Sequence, residues 1–183
     1  MYLGLDIDGV LGNFVTPLDI RMQEWLGIKV ESPLTTWQVE AVTEIQFAFV
    51  HDRMISEGDF RRFAVYPHAV KGVELIVLRH SICYITHRYS HIGSEFLDEK
   101  VRKDTKFWLK SKGFPEAPIY FEKNKAELCH KLGVGCIIED RPKQIEELSS
   151  VCGVMVMDRP WNQEVTVTRV YDMIHAARLL GVV

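Results

Sequence analysis

Long apolar runs are missing from this chain. No stretch reaches 18 consecutive apolar residues, which is about the least a membrane-spanning helix needs, so no membrane partner is expected. A basic excess is missing too. Lys and Arg number 22 against 25 Asp and Glu, for a net charge of −3. The phosphate backbone of a nucleic-acid polymer therefore finds no electrostatic footprint, although a nucleotide monomer needs only a few local cations. Cysteine is sparse. Cys83, Cys129, Cys136 and Cys152 show no C-x-x-C or other metal spacing, and all four lie in or beside apolar segments. They read as buried free thiols in a reducing cytoplasm. The opening Met-Tyr-Leu-Gly-Leu-Asp puts an acid at position 6 with no basic lead-in, unlike a secretory leader. Neither internal repeats nor low-complexity segments are present.

What remains is an ordinary globular composition, 47% hydrophobic and 26% charged over 183 residues. That is enough for one domain, or one core carrying a small insertion, with a hydrophobic core that needs no staples. Short apolar runs at 2–6 (YLGLD), 81–86 (SICYIT), 118–121 (PIYF), 135–139 (GCIIE) and 153–157 (GVMVM) read as strands. They are rich in β-branched or aromatic residues and show little polar alternation, as expected of strands covered on both faces. Helical patterns fall between them, at 67–79 with Val70, Val73 and Val77 on one face, and at 94–112 with Leu97, Val101 and Trp108 together. Others run over 124–132 behind Asn124 as N-cap, over 142–151 behind Pro142 in the first turn, and over 166–180 at the end. Strands alternating with helices predict an α/β fold with a right-handed parallel sheet, whose site lies beyond the carboxyl ends of the strands. Those ends carry Asp6, Thr86, and Glu139 with Asp140.

Residues 14–66 break the alternation. Thr16 reads as an N-cap, Pro17 as a first-turn proline and Gly27 as a stop, with Leu18, Met22, Trp25 and Leu26 on one apolar face between them. A second helix is expected over about 37–56. The segment reads as a small helical insertion after the first strand, leaving 1–13 and 67–183 as the core.

Chemistry concentrates at the strand ends. Asp6-Ile7-Asp8-Gly9 directly follows a buried strand. There the first carboxylate can attack phosphorus and the second can protonate a leaving oxygen and then activate water. Gly9 lets the chain turn sharply behind the pair. On the motif alone a surface turn or a calcium-loop fragment stays open, but an EF-hand needs further acids where this chain runs Val-Leu-Gly-Asn-Phe. Thr86 and the backbone N–H groups after it can hold phosphate oxygens, although Thr is common at strand ends. Lys125 opens a helix and can neutralise a transferring phosphoryl group; Lys123 and Lys131 compete for that role. Ile137-Ile138-Glu139-Asp140 places two acids after a buried strand, which costs free energy unless a cation meets them, and magnesium held by carboxylates and substrate phosphate fits. His87 and Arg88 follow Thr86 and face substrate or, in the case of Arg88, a core carboxylate. Trp37, Phe47 and Phe49 can stack on a base or fill a core. Arg61-Arg62 reads as a solvated face.

In this order on successive strand ends, Asp6/Asp8, Thr86, Lys125 and Glu139/Asp140 resemble the four motifs of the haloacid dehalogenase (HAD) superfamily, over nearly the whole chain. DIDGVLGNF, the short insert, the stretch from Phe60 to Tyr66-Pro67, and IIEDRP followed by DRPWN are similar to the 5′(3′)-deoxyribonucleotidases and their bacterial and phage relatives. The resemblance implies a Rossmann-like three-layer core with a helical cap. It implies Asp6 as nucleophile and magnesium ligand, and Asp8 as acid/base lending its backbone carbonyl to the metal. Asp140 becomes the remaining protein ligand, with Glu139 nearby through water. Thr86, the His87 backbone and Lys125 bind phosphate, and Phe14 takes the place of an aromatic that holds the base. Thr86-His87-Arg88 departs from a Thr-Ser-Pro-like stretch, and Glu139-Asp140 from Asp-Asp, which bears on substrate more than on chemistry.

The expectation is a magnesium-dependent phosphatase acting on small phosphate monoesters, nucleoside monophosphates first, in a cytoplasmic monomer or homodimer. The rivals are a sugar-phosphate phosphatase, a nucleic-acid 3′-phosphatase and a non-catalytic binding protein on the same fold.

Overall fold

The computed structural model describes residues 1–28 and 42–183. Six strands form one parallel sheet in the order β3-β2-β1-β4-β5-β6. They are β1 (Tyr2–Leu5), β2 (Ser81–Thr86), β3 (Ile119–Phe121), β4 (Cys136–Glu139), β5 (Gly153–Met157) and β6 (Thr168–Val170). Alternate side chains of β2 go to opposite faces: Ile82 and Tyr84 join the larger core, Cys83 and Ile85 the smaller. Helices α3 (Ala69–Ile76), α4 (Glu95–Ser111) and α7 (Met173–Leu179) cover the larger core, while α5 (Lys125–Leu132) and α6 (Pro142–Ser149) cover the other. Burial on both faces is why the strands read as nearly unbroken apolar runs. Helices α3 and α7 approach so closely that a Cβ on Gly72 would strike the backbone of Met173.

Among the described residues, two α-helices and a 3-10 turn (Asp59–Arg61) lie between β1 and α3: α1 (Val15–Leu26) and α2 (Glu44–Glu57). Gly27 ends α1 in the left-handed region, as its position predicts, at φ 66°. Thr43 caps α2 through a capping box with Gln46. The chain before α1 pairs with the chain after α2, the Asn13 N–H donating to Ala64 O and the Tyr66 N–H to Leu11 O. Trp37 and the predicted helix start near 37 lie outside the described residues.

Three local expectations need correcting. Residues 166–180 are not one helix: 168–170 form the edge strand β6, and Asp172 then caps α7 by accepting from the His175 N–H at 2.7 Å. The N-cap of α1 is Phe14, not Thr16, because Asn13 Oδ1 accepts the Thr16 N–H and starts the turn earlier. On α3 the buried face is Ala69, Gly72, Val73 and Ile76, while Val77 is exposed. The cysteines are all free; Cys83, Cys129 and Cys136 are buried and Cys152 is half-buried.

Candidate functional site

The strand order reverses direction between β1 and β4, and a parallel α/β sheet opens its ligand crevice at such a point. Asp6 follows β1, Glu139 ends β4 and Asp140 comes next, so three carboxylates meet there. They offer one oxygen each, all within 4.8 Å of one another, and all three residues are buried. Lys125, at the first turn of α5, reaches into the same spot, and its Nζ donates to Asp6 Oδ1 at 2.5 Å and to Glu139 Oε2 at 2.7 Å. Asn124 fixes the start of that helix by accepting the Glu127 N–H, which aims Lys125 inward.

The electrostatics are those of three acids sharing one ammonium. Burial, and then the Glu139 carboxylate, push Asp6 up to about 8, against the pull of Lys125. Burial, with Glu139 and Asp6, raises Asp140 well above the usual carboxylate range. Glu139 resists its own burial and stays low, because Lys125 and the N–H groups of Asp140 and Arg141 hold its charge. Burial alone would lower Lys125, but Asp6 and Glu139 keep it above its ordinary value. Three buried acids share one ammonium, so Asp6 and Asp140 are pushed towards their protonated forms until a further cation meets them, and oxygen donors in that state suit a small divalent cation.

Behind the acids stand side chains from the DRPWN stretch. Trp161 Nε1 donates to Asp140 Oδ2 at 3.0 Å, and Asn162 Nδ2 donates to Asp140 O at 2.8 Å. Arg159 donates to Gly9 O and lies over the Tyr66 ring. Gly9 adopts φ 83°, and a Cβ there would collide with the Asp140 carboxylate. The turn and the close approach thus both require glycine.

Of the expected phosphate-binding residues, Thr86 is fully buried and its Oγ1 has no hydrogen-bond partner among the described residues. His87 pairs through Nε2 with the Tyr89 hydroxyl at 2.7 Å. Burial, then Lys125 and Arg141, lower His87 to about 4, so it is neutral at physiological pH. Asp8 does not join the three-carboxylate cluster; Arg88 holds it through two hydrogen bonds of 2.6 and 2.7 Å. The Arg88 alternatives thus resolve towards a core carboxylate.

The acids open into a cavity of about 720 Å³ that extends under α1 and α2. Its far wall includes Phe14, Met22, Phe47, His51 and His91. Phe14 sits against Phe60, Phe63 and His51 as well as lining the cavity. Phe47 stacks on His51, whereas Phe49 is half exposed and does not line the cavity. Of the basic pair, Arg62 is solvated and Arg61 lies over Phe107.

The family profile of the 5′ nucleotidase, deoxy (pyrimidine), cytosolic type C protein matches residues 1–182. The chain belongs to this family. It is a phosphoric monoester hydrolase of the HAD superfamily. A comparison with curated proteins finds no match. Solved structures share the fold at low identity. A haloacid dehalogenase-like hydrolase from Streptococcus pneumoniae has 10% identity and TM-score 0.61, covering 98% of this chain and 97% of that one. A predicted phosphoglycolate phosphatase from Haemophilus somnus 129PT has 15% identity and TM-score 0.60, with the same coverage. The D,D-heptose 1,7-bisphosphate phosphatase from Burkholderia thailandensis has 8% identity and TM-score 0.59, again with 98% and 97% covered.

Sequence reasoning about this nucleotidase-family chain missed Asp52, a buried carboxylate on α2. It accepts from Ser90 Oγ at 2.9 Å and from the N–H groups of His91 and Ile92 at 2.9 and 3.1 Å. It ties α2 to the loop after β2. Burial opposes its charge, but His51 and these donors outweigh burial and bring it from 3.8 down to about 2. A folded-state value below the unfolded one stabilises above about pH 4, and the contribution fades as pH falls towards 2. Asp52→Ala should cost about 2–3 kcal/mol near neutrality, since three donors lose their acceptor. Urea melts of both proteins at pH 5 and pH 2 check the sign: the gap should narrow by roughly 1–2 kcal/mol at the lower pH.

Proposed function

We propose that the chain is a magnesium-dependent 5′-nucleotidase that hydrolyses (deoxy)nucleoside monophosphates through an aspartyl-phosphate on Asp6. The observation that carries this is the placement of Asp6 against Lys125 at the mouth of a cavity whose far wall is aromatic and imidazole. Its volume of about 720 Å³ suits a small phosphorylated molecule. Segment 14–66 acts as the cap that excludes water and selects substrate.

In the first half-reaction an Asp6 oxygen forms a bond to phosphorus as the bond to the leaving oxygen breaks, and Asp8 gives that oxygen its proton. In the second, Asp8 takes a proton from water, whose oxygen attacks phosphorus and releases inorganic phosphate and the Asp6 carboxylate. Lys125, the buried Thr86 hydroxyl and the His87 backbone N–H bind the phosphoryl oxygens; the Thr86 Oγ1, unpaired among the described residues, can donate there. The residues that would hold magnesium are Asp6, Asp140 and the Asp8 backbone carbonyl, with Glu139 through water. When bound, the ion offsets the charge on the attacked phosphate. The excess of buried carboxylate over ammonium fits such an ion.

A panel of nucleoside monophosphates and sugar phosphates, assayed with magnesium and with chelator, tests the reading; a preference for sugar phosphates would replace the nucleotide assignment. Phe14→Ala sharpens it. A base sliding against this ring gains roughly 1–3 kcal/mol, or about five- to a hundredfold in kcat/KM, over a small phosphate lacking a base. The expected result is a loss confined to the nucleotide. Phe14 also packs against Phe60 and Phe63, so the melting temperature must be read alongside. A uniform loss that tracks stability would remove Phe14 from base recognition.

A further inference from the structure

The two acids of the D-x-D pair have different cationic partners. Lys125 serves Asp6; Arg88 serves Asp8. The Arg88 side chain is 1% exposed and that of Asp8 is 18% exposed. Arg88 Nε donates to Asp8 Oδ2 at 2.7 Å and Nη2 to Oδ1 at 2.6 Å, a fork gripping both oxygens of one carboxylate. Nη1 donates to the fully buried Thr105 Oγ1 at 3.0 Å. The guanidinium carbon lies over three rings, at 5.0 Å from the centroid of Phe60, 5.5 Å from Phe63 and 5.7 Å from Trp108. Trp108 Nε1 in turn donates to Phe63 O. The guanidinium is therefore fixed by hydrogen bonds in its plane and by aromatic rings across it.

We propose that Arg88 is a positioning residue for the reaction: it sets the plane of the Asp8 carboxylate so that its open edge faces the leaving oxygen. The inference rests on the reading of Asp8 as the proton donor. Asp8 sits past the end of β1, in a turn closed by the Gly9 N–H to Gly12 O, and an unclamped side chain there has several rotamers. Proton transfer needs a heavy-atom distance of about 2.6–3.2 Å and a fixed direction. A carboxylate has about four lone-pair sites and the fork takes two, which leaves two for the reaction. Lysine has no planar fork and cannot define that plane. Phe60 and Phe63 follow α2, which lines the cavity, so one stretch of chain contributes both to the cavity wall and to two of the three rings around Arg88.

The test compares an activated aryl phosphate, 4-nitrophenyl phosphate, with a nucleoside monophosphate, whose leaving oxygen needs a proton. Asp8→Asn, Arg88→Met, Arg88→Lys and the Asp8→Asn/Arg88→Met pair are each assayed for kcat and KM, with melting temperatures as a folding check. Arg88→Met should lose about 10- to 100-fold in kcat on the nucleotide and several-fold less on the aryl phosphate, with KM little changed. Arg88→Lys should recover only a small part, and the double variant should be no worse than Asp8→Asn. If the Arg88 variants do not fold, Thr105→Val carries the test, with a smaller loss of the same leaving-group bias. Equal losses on both substrates, a rise in KM alone, full rescue by lysine or additive losses in the double variant would each overturn the proposal. An Asp8→Asn protein with no leaving-group bias would instead remove Asp8 as proton donor, and the Arg88 assignment with it.

Discussion

Asp6→Asn leaves a folded protein that turns over no phosphate monoester. An amide oxygen is a poor nucleophile, and the site's other carboxylates among the described residues are engaged elsewhere: Glu139 with Lys125 and two backbone N–H groups, Asp140 with Trp161 and Asp8 with Arg88. The expected loss in kcat is roughly 10⁴-fold or more, the scale for removing a covalent nucleophile. Stability moves the other way. Burial and Glu139 raise Asp6 from 3.8 to about 8, so in the metal-free protein its ionised form is disfavoured relative to the unfolded chain at every pH above about 4. Asn carries no charge to desolvate, and Lys125 keeps Glu139 as a partner. The metal-free variant should therefore melt at or above the temperature of the parent at pH 7. Activity and melting temperature, measured on one preparation, check both halves. Substantial turnover by a well-folded Asp6→Asn protein would end the aspartyl-phosphate mechanism.

The strand ends were legible in the sequence because a buried parallel strand has little freedom in composition. YLGL, SICYIT and CIIE, short and bounded by turn residues, read as strands covered on both faces, and polar residues terminating such runs stand out. Asp6, Thr86, Glu139 and Asp140 stand at those ends. The edge strand β6 was not legible, since three residues paired on one side carry no comparable signature, and Asp172, the cap that separates it from α7, reads like any surface acid. What sets the directions of the acids was harder still. Arg88 and Asp8 are 80 positions apart, Trp161 and Asp140 21, and no periodicity links them. Only the spatial neighbourhood shows that the arginine after Thr86 grips the second acid of the pair. Asp52 was invisible for a related reason: besides the adjacent His51, its partners are two backbone N–H groups and a serine 38 positions away, and backbone groups leave no trace in sequence.

The acids at the end of β4 carry the other large effect. If Asp6 and Asp140 share a magnesium ion, chelation removes turnover and Asp140→Ala weakens magnesium binding by at least about a hundredfold. Activity alone does not separate a lost ion from a disturbed loop, because Asp140 also anchors Trp161 and Asn162. The hydrogen bond from the Trp161 indole to Asp140 Oδ2 supplies a second readout: a cation at that carboxylate changes the field on the indole, so magnesium titrated into the parent should shift the tryptophan fluorescence in a saturable way. Trp161→Phe keeps the ring packing but leaves Asp140 without that donor. It should bind magnesium about tenfold more weakly, the scale for losing a hydrogen bond that orients a metal ligand. Calorimetric titration of parent, Trp161→Phe and Asp140→Ala should thus give a graded series, with the catalytic magnesium requirement following the same order. Full activity in excess chelator, or equal magnesium affinity in all three proteins, would remove the ion from this site and leave Lys125 as the only cation facing the nucleophile among the described residues.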